Sequence, residues 1–188
     1  MTHFPAIVIV PSSADPNEET ERLLAPYNED GEWFRAGDDE NPPSRWDWWV
    51  IGGRWTGCLD GYDPRVDPAN IETCDLCSGS GVRPDGLDLF GADWVKWANG
   101  CNGCSGTGKS VAFSFQPHSG DVQPIERLGE FLPHAVVTPD GEWHEHGEMG
   151  WFGVEVDQKE SDGDWRMKVL SLRQKHAGHI AVLVDCHV

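Results

Sequence analysis

Two stretches of the chain carry the same eight-residue pattern, C-x-x-C-S-G-x-G: "CDLCSGSG" from Cys74 to Gly81 and "CNGCSGTG" from Cys101 to Gly108. Zinc takes four soft ligands in a tetrahedron, and a C-x-x-C turn delivers two thiolates to one ion. A second such turn completes the set, so Cys74, Cys77, Cys101 and Cys104 are the expected ligands of one structural Zn2+. The 23 residues between Cys77 and Cys101 suffice for an arm that folds back. Gly79, Gly81, Gly106 and Gly108 let the backbone curl around an ion at angles other residues avoid. Backbone N–H groups can then point at the sulfurs and steady the thiolates. A thioredoxin-like redox pair is the competing reading. It requires a helix starting at the motif, and S-G-x-G is a poor helix start.

The pattern C-x-x-C-x-G-x-G resembles the repeat of the cysteine-rich domain of the DnaJ chaperones, which carries four copies and two zincs. This chain has two copies, in less than a quarter of its length, and no His-Pro-Asp tripeptide. The resemblance implies a zinc site at the four cysteines and does not extend to co-chaperone function.

Two further groups could do chemistry. Trp46, Trp48, Trp49 and Trp55 with Arg54, in "WDWWVIGGRW", could form an aromatic platform with a cation for an anion, so Trp46, Trp48, Arg54 and Trp55 are candidate ligand-binding residues. The same cluster also reads as core. His144 and His146 lie two apart in "HEHGE" and would share a strand face, with Glu148 near. Asp185, Cys186 and His187 end the chain's last apolar run. Together these could build a second, catalytic metal site of histidines and carboxylates; the alternative is surface histidines on a hairpin. Cys58 and Cys186 read as small buried residues. There is no G-x-S-x-G, no Walker loop and no G-x-G-x-x-G after a strand.

The 188 residues carry a net charge of −18. Eleven acidic residues lie between Asp15 and Asp47 and twelve between Asp121 and Asp164. Such a surface repels phosphate backbones, which argues against general nucleic-acid binding. It suits solubility, DNA mimicry or docking on a basic protein. No apolar run approaches the roughly 20 residues that span a bilayer. No basic segment precedes "AIVIV", so no signal peptide is expected. The expected compartment is the cytoplasm, where clustered cysteines bind metal rather than form disulfides.

The elements that must position these residues follow from local pattern. Ala6 to Val10 reads as a buried strand. Asp15-Pro16-Asn17-Glu18 starts a helix that Pro26 stops. Residues 28–45 read as a long polar loop. Apolar residues on both sides of "WDWWVI" predict a central strand, with a bulge or close approach at Gly52-Gly53. "VAFSF" is a candidate strand after the cysteines. "HAVVTPDGEWHEHG" predicts a hairpin. Ser161 caps a helix whose Trp165, Val169 and Leu172 share one face, and Ile180 to Val184 predicts a final strand. The order suggests an α+β, ferredoxin-like (split βαβ) antiparallel sheet with both helices on one face. It would form a single domain, 1–188, with a zinc-binding insertion at 72–110.

"WDWWVIGGRWTG", "TPDGEWHEHGEMGWFG" and "VLVDCHV" resemble segments of a family of small tailed-phage proteins. That resemblance implies a phage-encoded protein made in the host cytoplasm and specifies no site. The expectation is a zinc-binding, non-enzymatic, acidic protein that engages a host or defence factor or sequesters a small ligand. A metal-dependent hydrolase of nucleotides or phosphoesters, and a chaperone-like module, are the alternatives.

Overall fold

The computed structural model describes residues 2–29, 44–83, 100–112, 115, 118–149, 155–158 and 160–188. The chain divides into two compact units: Met1–Tyr62 with Pro117–Val188, and Asp63–Gln116.

The larger unit is built on its two longest strands, β1 (His3–Val10) and β10 (Ile180–His187). They pair antiparallel from His3 opposite His187 to Val10 opposite Ile180. The other strands are short: β2 (Trp48–Ile51), β5 (Val122–Pro124), β6 (Ala135–Val137) and β7 (Trp143–Glu145). The sheet order is β2-β10-β1-β6-β7, with β5 also pairing β10. The β1–β6 pair is parallel and the rest are antiparallel. β8 (Gly147–Met149) and β9 (Glu155–Gln158) form a separate antiparallel pair.

Side chains alternate across a strand, and here both faces are apolar. Phe4, Ala6, Val8 and Val10 pack with Val182, Val184, Ala135 and Val137 on one face. Ile7 and Ile9 pack with Leu183, Ala181 and Val136 on the other. Helix α1 (Pro16–Leu24) covers the first face with Leu23 and Leu24. Helix α2 (Asp162–Lys175) covers the second with Trp165, Val169 and Leu172. The mixed α+β class holds, but the expected placement of both helices on one face does not. A sheet apolar on both sides needs cover on both, and each helix supplies one layer.

The helix starts follow their caps. Asp15 accepts the N–H groups of Asn17 (2.9 Å) and Glu18 (3.0 Å). Ser161 Oγ accepts the Asp164 N–H at 3.2 Å. Such caps satisfy helix donors that have no intrahelical partner. The hairpin expected around Pro139-Asp140-Gly141 forms, with Val137 opposite Trp143 and the Gly141 N–H donated to Thr138 O at 2.8 Å.

Two further expectations are corrected. Among the described residues β2 is an edge strand rather than a central one, with Trp48 and Val50 exposed. Cys58 is exposed, because it lies in the turn after Gly57, whereas Cys186 is buried. Of "VAFSF", Val111 ends strand β4 (Lys109–Val111), and Phe113 and Ser114 lie outside the described residues. Most of the acidic loop expected over 28–45 lies outside them too.

Candidate metal centre

In the smaller unit β3 (Ile71–Thr73) pairs antiparallel with β4, Thr73 opposite Lys109. The strands bring the start of one cysteine turn beside the end of the other. The two turns then repeat one another bond for bond. Cys74 O accepts the N–H groups of Cys77 (3.4 Å) and Gly79 (3.3 Å), and Cys101 O accepts those of Cys104 and Gly106, both at 3.2 Å. The Ser80 hydroxyl donates to Cys77 O and the Thr107 hydroxyl to Cys104 O, each at 2.7 Å. The turns also clasp each other reciprocally: the Cys74 N–H donates to Gly108 O at 3.0 Å and the Cys101 N–H to Gly81 O at 2.6 Å.

This clasp is where glycine is required. Gly81 and Gly108 have φ of 75° and 74°. A Cβ on Gly81 would collide with the carbonyl oxygen of Gly106, and one on Gly108 with that of Gly79. Glycine adopts this conformation without the steric cost other residues meet.

The sulfurs converge as a result. The four cysteines are buried, and their ligand atoms lie within 4.8 Å of one another. Cys74 and Cys101 sulfurs are 3.7 Å apart, as are those of Cys77 and Cys104. Zn–S bonds of about 2.3 Å in a tetrahedron set sulfurs roughly 3.8 Å apart, so the site fits a zinc ion. The Gly108 N–H points at Cys104 Sγ at 3.2 Å. Burial raises the Cys104 thiol, but the Gly108 N–H and the neighbouring thiols outweigh it and bring it down to about 7. Burial, with the sulfur contacts to Cys101 and Cys77 adding, pushes Cys74 up to about 11.

The tryptophans expected to form one platform are dispersed. Trp46 is buried among Leu23, Leu24 and Tyr27, its Nε1 donating to Leu24 O at 3.2 Å. Trp55 packs against the opposite core, the cluster that contains Leu59 and Ile125. Trp48 is 43% exposed and stacks on His187 with ring centres 5.2 Å apart. Arg54 is exposed and gives its backbone N–H to Asp185 Oδ2 at 3.0 Å.

The histidines also separate. His144 lies on β7 near Glu142 (3.6 Å), and His146 faces Asp162 (3.3 Å) at the start of α2. Asp185 and His187 lie on β10, with β1 and β6 between that strand and β7. At about 4.8 Å per strand, the two groups are too far apart to share an ion. Among the described residues, only the four cysteines form a group of three or more metal-ligating side chains at such distances. What sequence reasoning missed is the partner set of Asp185 and His187: Asp185 meets His3, and His187 meets Asp47. The one available signal was strand pairing, since His3 begins β1 and His187 ends β10.

No protein-family model, no curated protein and no solved structure matches the chain. Among the described residues no helix is long and apolar enough to cross a membrane.

Proposed function

We propose that this is a zinc-binding, non-enzymatic acidic protein, in which one Zn2+ on Cys74, Cys77, Cys101 and Cys104 staples a segment that could not hold its shape alone. The observation that carries this reading is the convergence of four buried sulfurs at tetrahedral spacing. Such a site is closed: all four positions go to protein ligands, so the ion shapes the chain and leaves no open position for chemistry. The functional surface then lies elsewhere, and the net charge of −18 supplies its character. A field of that sign selects cationic surfaces and steers them in.

The partner we propose is a basic region of a host or defence protein met in the host cytoplasm, the chain being phage-encoded. The motif resemblances are the support for that origin. A small-molecule ligand is the weaker form of the same reading, since the tryptophans named for it are dispersed. The hydrolase reading loses its metal set with the separation of His144 and His146 from Asp185 and His187. The chaperone-like reading keeps only the cysteine repeat.

Elemental analysis after exhaustive dialysis against metal-free buffer tests the zinc, with about one tightly held equivalent expected per chain and loss of that equivalent in Cys74→Ser. Cross-linking in host lysate tests the partner. Recovery of basic proteins whose capture fades as salt rises supports the reading, and a salt-independent or empty capture overturns it.

A further inference from the structure

The second face of the sheet changes character along β1 and β10. Ile7, Ile9, Ala181 and Leu183 lie in the core under α2, and the next residues on that face are Pro5 and His3 on β1 and Asp185 and His187 on β10. His3, His187 and Trp48 are direct cross-strand neighbours over β1, β10 and β2. Each imidazole is held by a carboxylate through the same nitrogen: His3 Nδ1 to Asp185 Oδ1 at 3.0 Å, and His187 Nδ1 to Asp47 Oδ1 at 2.5 Å. The side chains of His3 and His187 are only 9% and 6% exposed. Asp185 is fixed in turn by the Arg54 N–H at 3.0 Å. At Gly53 a Cβ would lie 2.6 Å from Asp185 Oδ2, so the turn above the carboxylate admits no larger residue without a shift.

A carboxylate only accepts, so each neutral imidazole must carry its proton on Nδ1 and present a lone pair on Nε2. Among the described residues no hydrogen bond reaches either Nε2. Neither Nε2 is among the buried side-chain atoms that lack a partner, so both lone pairs stay within reach of solvent or of an ion. Histidines that ligate metals show this arrangement, one ring nitrogen on a carboxylate and the other on the ion. The spacing also fits. An imidazole bound at about 2.0–2.1 Å has its ring centre roughly 3.2 Å from the ion, so two rings on one tetrahedral ion sit with centres about 5 Å apart. The centres of His3 and His187 are 4.9 Å apart.

We propose that His3 and His187 form a second metal site, for a divalent ion of the zinc class, with Asp185 and Asp47 as the carboxylates that orient them. Imidazole nitrogens suit such ions, and the chain's negative field concentrates divalent cations. This site differs in kind from the cysteine centre. It offers two protein ligands, so two positions stay open to water or to a donor atom of a bound molecule. The partly exposed Trp48 ring contacts both imidazoles, with ring centres 5.3 Å from His3 and 5.2 Å from His187.

Titration of the intact protein with Zn2+, followed by long-range 1H–15N spectra of the imidazoles, tests this without any substitution. The Nε2 resonances of His3 and His187 are expected to shift together while both Nδ1 atoms keep their protons. Equilibrium dialysis should give about two equivalents of zinc per chain, and about one for His3→Ala or His187→Ala. Asp47→Asn should weaken the second equivalent by about 10–100-fold. Nε2 resonances that do not move, or a second equivalent that survives in both alanine variants, overturns the site; edge-to-face packing of the two rings would then account for the geometry. The cysteine zinc is read separately through Cys74→Ser, so failure of one site leaves the other judged on its own.

Discussion

At Gly53 the backbone stands at φ 53°, and the space a methyl group would need holds the side chain of Asp185. A left-handed conformation costs a non-glycine residue about 1–2 kcal/mol, and the collision adds to that. Gly53→Ala should therefore lower the stability of the larger unit by more than about 1 kcal/mol, read from its urea midpoint at unchanged m-value. An unchanged midpoint would mean the turn relaxes freely. Trp165 is a second such position: 1% exposed, its Nε1 donates to Pro133 O at 2.8 Å. Trp165→Phe fills most of the volume but strands that carbonyl, an expected loss of about 1–3 kcal/mol on the same measurement. The cysteine ligands were legible at this scale because two thiols at C-x-x-C spacing lie within one turn. The links of His3 to Asp185 and of His187 to Asp47 were not, since their members are 182 and 140 residues apart and meet only through the pairing of β1, β10 and β2.

Elements were legible where a local signal ended them. Both long helices begin at the residues that cap them, Asp15 and Ser161, and Gly178, with φ 83°, lies just past the second. Ser161→Ala should cost about 1 kcal/mol, seen as a lower thermal midpoint. The strand within "WDWWVI" sits at an edge among the described residues, against its pattern, for a physical reason. Apolar residues on both sides of a strand normally mean two covered faces, yet Trp48 leans on His187 instead of entering a core. The sequence did hold the clue to the helix layers. "AIVIV" has no polar face, so one layer of helices could not cover the sheet it belongs to. On β7, burial holds His144 below the ordinary histidine value, with Glu142 pulling the other way. The unfolded chain therefore takes up this proton first as pH falls. The stability His144 contributes is complete above about pH 6.5 and is lost as pH drops through the lower folded value. His144→Gln should flatten the fall of the urea midpoint between neutral and mildly acid pH; an unchanged slope would assign that fall to other groups, His176 among them.

For the molecule as a whole, the two units draw on different sources of stability. The larger unit has two apolar layers on a six-stranded sheet. In the smaller unit the only buried cluster is the four cysteines themselves, among the described residues. Val66, Leu76, Val82 and Val111 of that unit stay exposed rather than forming a core. Among the described residues of that unit, so little apolar burial does not offset the entropy of ordering their backbone, roughly 1–2 kcal/mol per residue. The metal must supply the difference, and apparent binding energies of structural zinc, about 10–16 kcal/mol at neutral pH, are of the right size. A strong chelator should therefore unfold residues 63–83 and 100–112 while the sheet of the larger unit persists. In amide spectra the resonances of the first group would collapse to random-coil positions and those of β1 and β10 would stay dispersed. Readdition of zinc should restore the lost set. Dispersed resonances for Cys74 to Gly81 in metal-free, reduced protein would show that the reciprocal clasp of the two turns holds the segment by itself, and the ion would then be a ligand of this unit rather than the source of its fold.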